Sequence, residues 1–220
     1  MPTWLHATLR LLFVTCVAYP VTLLWLGIHV RHRERLPSKG PAIIAANHNS
    51  HLDILMLLSL FPLLSIPGVQ PAAAADYFGT PRWFKWLAQS FVGIIPVVRG
   101  AMQEGGPDPL EECYEALAAG RVLLIFPEGT RGTPEHLAEL KPGIWHLAKR
   151  FPEVPVVPVY MHGLGKSLPK GTFIPVPFYV KMAVGPALHW AEDKAAFMHS
   201  LREQFDRLRQ KVTLPPPDDE

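Results

Sequence analysis

The chain has 220 residues, which is enough to bury one substantial hydrophobic core and predicts a single domain. Hydrophobic residues make up 49% of the sequence and charged residues only 18%, a composition typical of membrane-associated rather than ordinary soluble proteins. The net charge is only +2, and no basic stripe or RNA-binding motif occurs, so nucleic acid is not a predicted partner. With two cysteines, a disulfide framework is excluded and a reducing compartment is favoured.

An apolar run near the N-terminus, residues 11–30, contains no Lys, Arg, Asp or Glu. As a continuous helix it would be about 30 Å long, which is enough to span a bilayer. Pro20 and Gly27 equally allow a broken helix or a hairpin that lies in one leaflet, and the sequence leaves both possibilities open. Because no small-residue cleavage site follows the run, a cleaved signal peptide is disfavoured. Residues 1–35 are therefore predicted to form a membrane anchor.

Basic residues follow this apolar run closely, at Arg31, Arg33, Arg35 and Lys39. By the positive-inside rule, they place the rest of the chain on the cytoplasmic side of the membrane. They also predict contact with an anionic membrane surface, because lipid headgroups attract clustered Lys and Arg.

Beyond the basic residues, short β-like runs alternate with helical stretches, which predicts an α/β domain over residues 36–212. The expected architecture is a single domain with a mixed, mostly parallel sheet flanked by helices. The predicted strands are residues 42–46, 69–75, 94–98, 122–126, 156–161 and 179–184. The predicted helices are residues 50–60, 81–89, 108–119, 142–150 and 192–212. Residues 213–220 are predicted to be a disordered tail.

One short segment, Pro81-Arg-Trp-Phe-Lys-Trp86, combines three aromatic residues with two cations. This composition suits a position at the membrane interface, where amphipathic rings and basic side chains are enriched. It is equally compatible with rings that complete the hydrophobic core.

The most informative motif is Asn47-His-Asn-Ser-His-Leu-Asp53, which directly follows the predicted strand 42–46. A histidine with a nearby carboxylate is suited to general-base catalysis. A five-residue offset would separate the two side chains by about 140° around a regular helix, so His48 should precede the helix that contains Asp53. The imidazole can then fold back onto the carboxylate. Asp53 would keep one ring nitrogen protonated and leave the other free to accept a proton.

Two other interpretations of this motif are open on spacing alone. His48 could be a helix cap or a surface residue. Alternatively, His48, His51 and Asp53 could ligate zinc or iron in a metal-dependent hydrolase. The preferred prediction is that no metal is bound, because Cys16 and Cys113 lie in no ligand-like context and no His-Glu-x-x-His motif occurs.

A second motif, Pro127-Glu-Gly-Thr-Arg131, follows the predicted strand 122–126, and ligand sites in α/β sheets tend to lie at strand ends. Gly129 would permit a tight turn or close approach to a ligand, while Arg131 could hold a phosphate through two parallel hydrogen bonds. Glu128 could accept a hydrogen bond from a polar substrate or hold the arginines in place. The motif fits an anion site, and it fits equally a structural turn with a Glu to Arg ion pair.

Together, His48-x-x-x-x-Asp53 and Phe126-Pro-Glu-Gly-Thr-Arg131 resemble the motifs of the lysophosphatidic acid acyltransferase family, the PlsC-like 1-acylglycerol-3-phosphate acyltransferases. Three further stretches, residues 93–99, 140–143 and 154–159, are similar to other conserved stretches of that family. They occur in the family's order, and the resemblance covers roughly residues 40–165.

The resemblance implies transfer of a fatty acyl group from a thioester to the hydroxyl of a lysophospholipid, most simply 1-acylglycerol-3-phosphate. It implies that His48 is the base and Asp53 its partner. The acceptor's phosphate and glycerol would be bound by Asn47, Arg99, Glu128, Gly129, Thr130, Arg131 and Lys141. No cofactor is expected. The co-substrate would be acyl-CoA or acyl carrier protein, and the acceptor would be a membrane lipid.

Direct attack by the acceptor hydroxyl is predicted rather than an acyl-enzyme, because no Gly-x-Ser-x-Gly elbow occurs and neither cysteine lies in a nucleophile motif. Ser50 is expected to cap the following helix. The chain departs from many family members at residues 72–77, Ala-Ala-Ala-Ala-Asp-Tyr, where they carry a lysine. Backbone amides would have to replace it if it stabilises an oxyanion. Another lysolipid acceptor, such as lyso-ornithine lipid, remains open, as does a lipid carrier without catalysis.

Overall fold

The computed structural model describes residues 3–50, 52–74, 82–97, 108–130, 132–133, 136–167, 176 and 178–213. In these ranges the strands are β1 Ile28–Arg31, β2 Ala42–Ala46, β3 Val69–Ala74, β4 Ile95–Val97, β5 Val122–Ile125, β6 Val156–His162 and β7 Val180–Val184. They form a seven-stranded sheet in the order β1-β7-β6-β2-β5-β3-β4. Strands β2 to β6 are parallel, β7 is antiparallel to β6, and β1 is parallel to β7. The prediction of a mixed, mostly parallel sheet is confirmed.

Helices cover both faces of this sheet, which is why the central strands are buried apolar runs. The helices are α1 Thr3–Phe13, α2 Leu52–Ser59, α3 Arg82–Leu87, α4 Glu111–Ala118, α5 Gly143–Arg150, α6 Leu164–Ser167 and α7 Lys194–Thr213. The N-terminal helix and α2 pack on one face, while α4, α5 and α7 pack on the other. Each of the five predicted helices is present, with ends that differ by a few residues from the predicted ones.

Two of these differences have local causes. The helix predicted to begin at residue 108 begins at Glu111, because Asp108 first forms a turn in which its carboxylate accepts a hydrogen bond from the Leu110 amide at 2.8 Å. The helix predicted over residues 81–89 has regular turns only to Leu87. It continues as a wider π-helical turn, Ala88–Val92, and ends at Gly93, whose φ of +77° favours glycine.

The apolar run of residues 11–30 divides at Gly27 into helix and strand. Helix α1 continues through wider turns at Val14–Ala18 and Pro20–Leu26, and the chain then turns at Gly27 with φ +63°. The next residues form β1, which pairs with β7 at the edge of the sheet. The predicted anchor boundary at residue 35 remains a prediction, but residues 28–31 belong to the sheet. Their sequence, Ile-His-Val-Arg, gives no signal that separates it from the apolar helix before it.

The N-terminal helix has one face in the core and one apolar face exposed. Val14, Ala18 and Leu26 are buried against α2 and the sheet, whereas Trp4 and Leu24 are among its exposed large side chains. In the described part of the chain, the helix Trp4–Leu24 is long and apolar enough to cross a membrane, by length and composition. Its partial burial shows that it is packed along the domain.

Arg10 links this helix to the sheet. Its guanidinium is almost fully buried and donates hydrogen bonds to the carbonyl of Pro67, at 3.1 Å, and to the carbonyl of Val69. It also packs against Gly93, where an added Cβ would lie 2.5 Å from the Arg10 Cζ. One side chain thus ties α1 to the starts of β3 and β4.

Replacing Arg10 with methionine is expected to lower the free energy of unfolding by about 1–3 kcal/mol, because the two carbonyls lose charged donors in a buried setting. The measurement is equilibrium unfolding in detergent, followed by circular dichroism. Arg207→Met is the matched control, since Arg207 is exposed and its ion pair with Glu203 spans 3.6 Å. We expect the control to change stability by less than about 1 kcal/mol. Equal losses in the two variants would contradict the role of Arg10.

The basic residues after the apolar run are partly used within the domain. Arg33 donates a hydrogen bond to the Leu60 carbonyl at 2.9 Å, and Arg35 donates one to the Val184 carbonyl at 3.2 Å. These bonds fasten the connection between β1 and β2 to the end of α2 and to β7. Both arginines are nevertheless exposed, and their contact with anionic lipid stays a prediction.

Candidate active site

His48 and Asp53 meet in the connection between β2 and α2, at the edge where the parallel strands end. His48 precedes the helix and Asp53 is the second residue of α2. The Asp53 Oδ2 lies 2.7 Å from the His48 Nδ1, so the imidazole folds back onto the carboxylate. The same oxygen accepts hydrogen bonds from the amides of Asn49, at 2.6 Å, and Ser50, at 2.9 Å. The five-residue spacing therefore produces the pairing that the sequence predicts.

Asp53 also belongs to the start of α2. The Ser50 hydroxyl accepts a hydrogen bond from the Leu52 amide at 3.3 Å, while the Asp53 carboxylate accepts one from the Ser50 amide. This reciprocal arrangement resembles a capping box, with Asp53 as its acidic member. The predicted capping by Ser50 is therefore present. Because the helix start fixes Asp53, the orientation of the imidazole is tied to the fold.

The electrostatics of the pair suit a base. Asp53 is fully buried, and this burial raises its pKa, while His48 and the amides of Ser50 and Asn49 oppose the increase. The His48 side chain keeps 19% of its surface exposed. Since Nδ1 is held by Asp53, Nε2 is the nitrogen available to accept a proton from a bound substrate.

Phe126 covers the ring of His48. Their centroids are 4.2 Å apart and the ring planes are inclined by 20°, a stacked arrangement. Strands β2 and β5 are neighbours with Ala45 opposite Ile125, so the residues that follow each strand meet at the same edge. Phe126 was not among the predicted site residues. Its position directly after the strand and before the Glu-Gly-Thr-Arg motif was the signal available for it.

Asn47 faces the protein rather than solvent. Its side-chain amide donates to the Met161 carbonyl at 2.9 Å, and its oxygen accepts from the Met161 amide at 2.6 Å. Asn49 donates to the same carbonyl at 2.9 Å. The loop is thereby fastened to β6. Asn47 was predicted to bind the acceptor, and that contact stays a prediction. In this structure both polar atoms of its buried side chain are engaged by Met161.

Glu128 is buried with both carboxylate oxygens engaged. Its Oε1 accepts a hydrogen bond from the His48 amide and its Oε2 accepts one from the Ala138 amide, each at 2.7 Å. Burial raises the pKa of Glu128, and these two amides oppose the increase. The Glu128 carboxylate therefore contacts the backbone of His48 directly.

Three other predicted acceptor residues lie near one another at the surface. Gly129 turns with φ +72°, and Gly129, Thr130 and Lys141 are exposed. A Cβ on Gly129 would lie 3.6 Å from the Lys141 Cγ, so the lysine stem passes beside the turn. The Lys141 ammonium pairs with Glu139 at 2.9 Å. Their contact with a phosphate remains a prediction.

The remaining predicted residues, Arg99, Arg131 and His51, lie outside the described residues, as do positions 75–77 of the lysine-lacking segment. Among the residues that are described, no cluster of three or more His, Cys, Asp or Glu could hold a metal ion. The metal-dependent alternative required His51 as a ligand, so it remains untested.

The cysteines do not contribute to this site. Cys113 is buried in the core on the side of α4, and burial raises its pKa to about 12, so it holds its proton at neutral pH. Cys16 is exposed on the N-terminal helix.

An imidazole backed by a buried carboxylate at the end of parallel strands defines a general-base site of the kind that activates a hydroxyl or water.

Comparison with known proteins agrees with this class. The sequence profile of the Acyltransferase family matches residues 27–162, a range that contains His48, Asp53, Glu128 and Lys141. The chain belongs to this family, the PlsC-like acyltransferases.

Several relatives carry a more specific name. The chain is 33% identical over 171 residues to the chloroplastic 1-acyl-sn-glycerol-3-phosphate acyltransferase LPAT1 of Arabidopsis thaliana, covering 76% of this chain and 44% of that protein. It is 36% identical over 148 residues to a 1-acyl-sn-glycerol-3-phosphate acyltransferase of Saccharomyces cerevisiae, covering 64% and 45%. The chain therefore spans less than half the length of these two relatives.

A solved structure matches more completely. The crystal structure of the 1-acyl-sn-glycerophosphate acyltransferase PlsC from Thermotoga maritima superimposes with a TM-score of 0.73, covering 96% of this chain and 81% of that protein. The sequence identity is 20%, so this similarity establishes the fold.

Proposed function

We propose that this protein transfers a fatty acyl group from an acyl thioester to the free hydroxyl of 1-acylglycerol-3-phosphate, giving phosphatidic acid and a free thiol. The observation that carries the proposal is the His48 to Asp53 pair, oriented by the start of α2 at the strand edge. The names of the relatives support the choice of acceptor.

The proposed reaction proceeds by direct attack. His48 Nε2 takes the proton of the acceptor hydroxyl as its oxygen bonds to the thioester carbonyl carbon, and Asp53 stabilises the imidazolium that forms. The tetrahedral intermediate then breaks its carbon–sulfur bond, and the departing sulfur takes the proton from His48. No acyl-enzyme is formed. A positioned base typically contributes about 10²–10⁴-fold to the rate.

The acceptor's phosphate is proposed to lie over the exposed turn at Gly129 and Thr130. Lys141 is close enough to this turn to supply a cation, and Arg99 and Arg131 would complete the anion site. Arginine and lysine are suited to this role because their charged donors match phosphate oxygens.

A competition among acceptors tests the substrate. The purified protein would be given one labelled acyl-CoA with lysophosphatidate, another lysophospholipid or lyso-ornithine lipid in separate reactions. We expect kcat/KM for lysophosphatidate to exceed the others by at least about tenfold, since the phosphate provides charge-assisted contacts. A higher value for lyso-ornithine lipid would reassign the acceptor. The same assay with acyl carrier protein in place of CoA identifies the donor.

The site is proposed to face the cytoplasm. The protein surface that contacts the membrane is proposed to include more than the N-terminal helix. Leu64 is 93% exposed at the tip between α2 and β3, and Trp83 on α3 is 63% exposed. Phe91 links α3 to α1, because its ring makes edge contacts with Phe13 of α1 at 6.3 Å and with Trp86 of α3 at 6.2 Å. A bilayer is the partner that such a surface suits.

Replacing Leu64 with glutamate is expected to weaken binding to phosphatidylglycerol-containing vesicles by about tenfold or more, since burying a leucine is worth about 1.5–3 kcal/mol. Vesicle sedimentation measures the change. Gln210→Glu on α7 adds the same charge at an exposed position on the other side of the sheet and should leave binding unaltered. Unchanged binding of Leu64→Glu would remove this tip from the membrane surface.

A further inference from the structure

Glu128 connects parts of the chain that lie far apart in sequence. His48 precedes it by 80 residues and Ala138 follows it by 10, yet the backbone amides of both donate to its carboxylate at 2.7 Å. The side chain is only 2% exposed. A buried carboxylate with an amide donor on each oxygen is strongly held, because hydrogen bonds to a charged acceptor are about twice as strong as neutral ones.

The segment that contains Ala138, the second amide donor to Glu128, is itself held by hydrogen bonds. Arg202 on α7 donates hydrogen bonds to the carbonyls of Ala138, at 2.8 Å, and Leu137, at 3.3 Å. The Lys141 amide donates to the Pro127 carbonyl at 2.7 Å. A continuous set of hydrogen bonds therefore runs from α7 through Ala138 and Glu128 to the backbone of His48.

Phe126, which lies two residues before Glu128, contacts the side chain of His48. Its ring stacks on the imidazole while Glu128 holds the amide of the same residue. The strand end at β5 thus contacts both the backbone and the side chain of His48. Because β5 is rigidly paired with β2, these contacts limit movement of the imidazole relative to the sheet.

We infer that Glu128 is a positioning residue that holds the backbone of His48 and does not bind the acceptor's headgroup. This inference rests on the proposed function, since the rate that Glu128 affects is that of acyl transfer. It differs from what the resemblance to the family implies, which is that Glu128 belongs to the acceptor site. Its carboxylate would act entirely through the placement of His48.

Substitution of Glu128 with glutamine separates the two roles. The glutamine amide group must face one of the two backbone N–H donors, so one hydrogen bond is lost and the loop shifts. Misplacement of a catalytic group by about 1 Å can cost on the order of 10²-fold in rate. We expect kcat to fall by about this factor, with the KM for lysophosphatidate within about threefold of wild type. A KM raised tenfold or more with kcat retained would overturn the inference and return Glu128 to the acceptor site.

Glu128→Asp provides a second variant in case Glu128→Gln does not fold. It keeps the charge but is one methylene shorter, so it cannot reach both amides together. It is expected to show the same loss of kcat with KM maintained. A KM raised tenfold or more with kcat retained in this variant would again contradict the positioning role of Glu128.

The His48 amide proton provides a readout that does not require turnover. A short hydrogen bond to a carboxylate shifts an amide proton downfield, so selective ¹⁵N-histidine labelling should reveal a strongly downfield His48 amide in the wild type. The resonance should move upfield in Glu128→Gln. An unchanged shift would contradict the contact. If the wild type transferred no acyl group at all, the proposed function would fail, while this spectrum would still report on the contact of Glu128 with His48.

Discussion

His48→Ala is expected to reduce kcat for acyl transfer by about 10²–10⁴-fold, the usual contribution of a positioned general base. The KM for lysophosphatidate should change little, because the imidazole is proposed to act on the hydroxyl and not on the phosphate. The measurement is release of free thiol from acyl-CoA in the presence of lysophosphatidate, over a range of acceptor concentrations.

A matched control distinguishes loss of the base from general damage. His199→Ala removes an exposed histidine on α7, which packs on the opposite face of the sheet from α2, and should retain activity within about twofold. Both variants should give the wild-type circular dichroism spectrum. Undiminished transfer by His48→Ala would mean that the base has been assigned to the wrong residue.

Asp53→Asn is expected to lower activity by a similar factor while stabilising the fold at neutral pH. The amide cannot compensate the positive charge of an imidazolium, so the transition state loses its nearest counter-charge. Asparagine has almost the same shape, and its oxygen can still accept hydrogen bonds from the amides of Asn49 and Ser50. Loss of function with retained or increased stability is typical where a catalytic charge is buried at a cost to the fold.

The stability change should depend on pH in a defined direction. Burial raises the pKa of Asp53 in the folded protein above its unfolded value of about 4. The unfolded chain therefore loses this proton first, and the wild type becomes less stable as pH rises from about 4 through the raised pKa. Asparagine does not titrate, so the stability advantage of Asp53→Asn should grow with pH over that interval.

Thermal unfolding of the two proteins at a series of pH values from 4 to 8 measures this advantage. Asp206→Asn is the control, because Asp206 is half-exposed on α7 and forms only a 3.6 Å ion pair with Arg202. Its stability difference from the wild type should vary little with pH. An Asp53→Asn advantage that shrank as pH rose would show that the folded-state pKa of Asp53 is not raised.

Much of the sheet could be predicted because its central strands are continuous apolar runs bounded by turns. Strand β2 lies where the alternation of strands and helices placed it, and β6 extends one residue beyond its prediction. The short edge strand β1 could not be predicted. Gly27 allowed a break before it, but its four residues are too short a run to show a strand pattern, and their extended conformation accompanies the pairing with β7.

The contact between two site residues could be predicted where they are close in sequence. It could not be predicted where a side chain binds a main-chain group that is distant in sequence. The spacing of His48 and Asp53 was sufficient to predict their contact. The hydrogen bonds of Asn47 with Met161 and of Glu128 with Ala138 join a side chain to a main-chain group. Any residue type other than proline offers such an amide, so the partner's identity carries no signal. Hence the substrate contacts predicted for Asn47 and Glu128 came from the resemblance to the family, and not from these hydrogen bonds.

The central claim is that an acyl group passes from a thioester to the hydroxyl of lysophosphatidate without a metal. The most direct test measures phosphatidate by mass spectrometry and free thiol by absorbance in the same reaction of purified protein with acyl-CoA and lysophosphatidate. We expect one phosphatidate for each thiol released, with the rate unaffected by a chelator. Free fatty acid in place of phosphatidate, with activity lost to the chelator, would contradict it and favour a metal-dependent hydrolase.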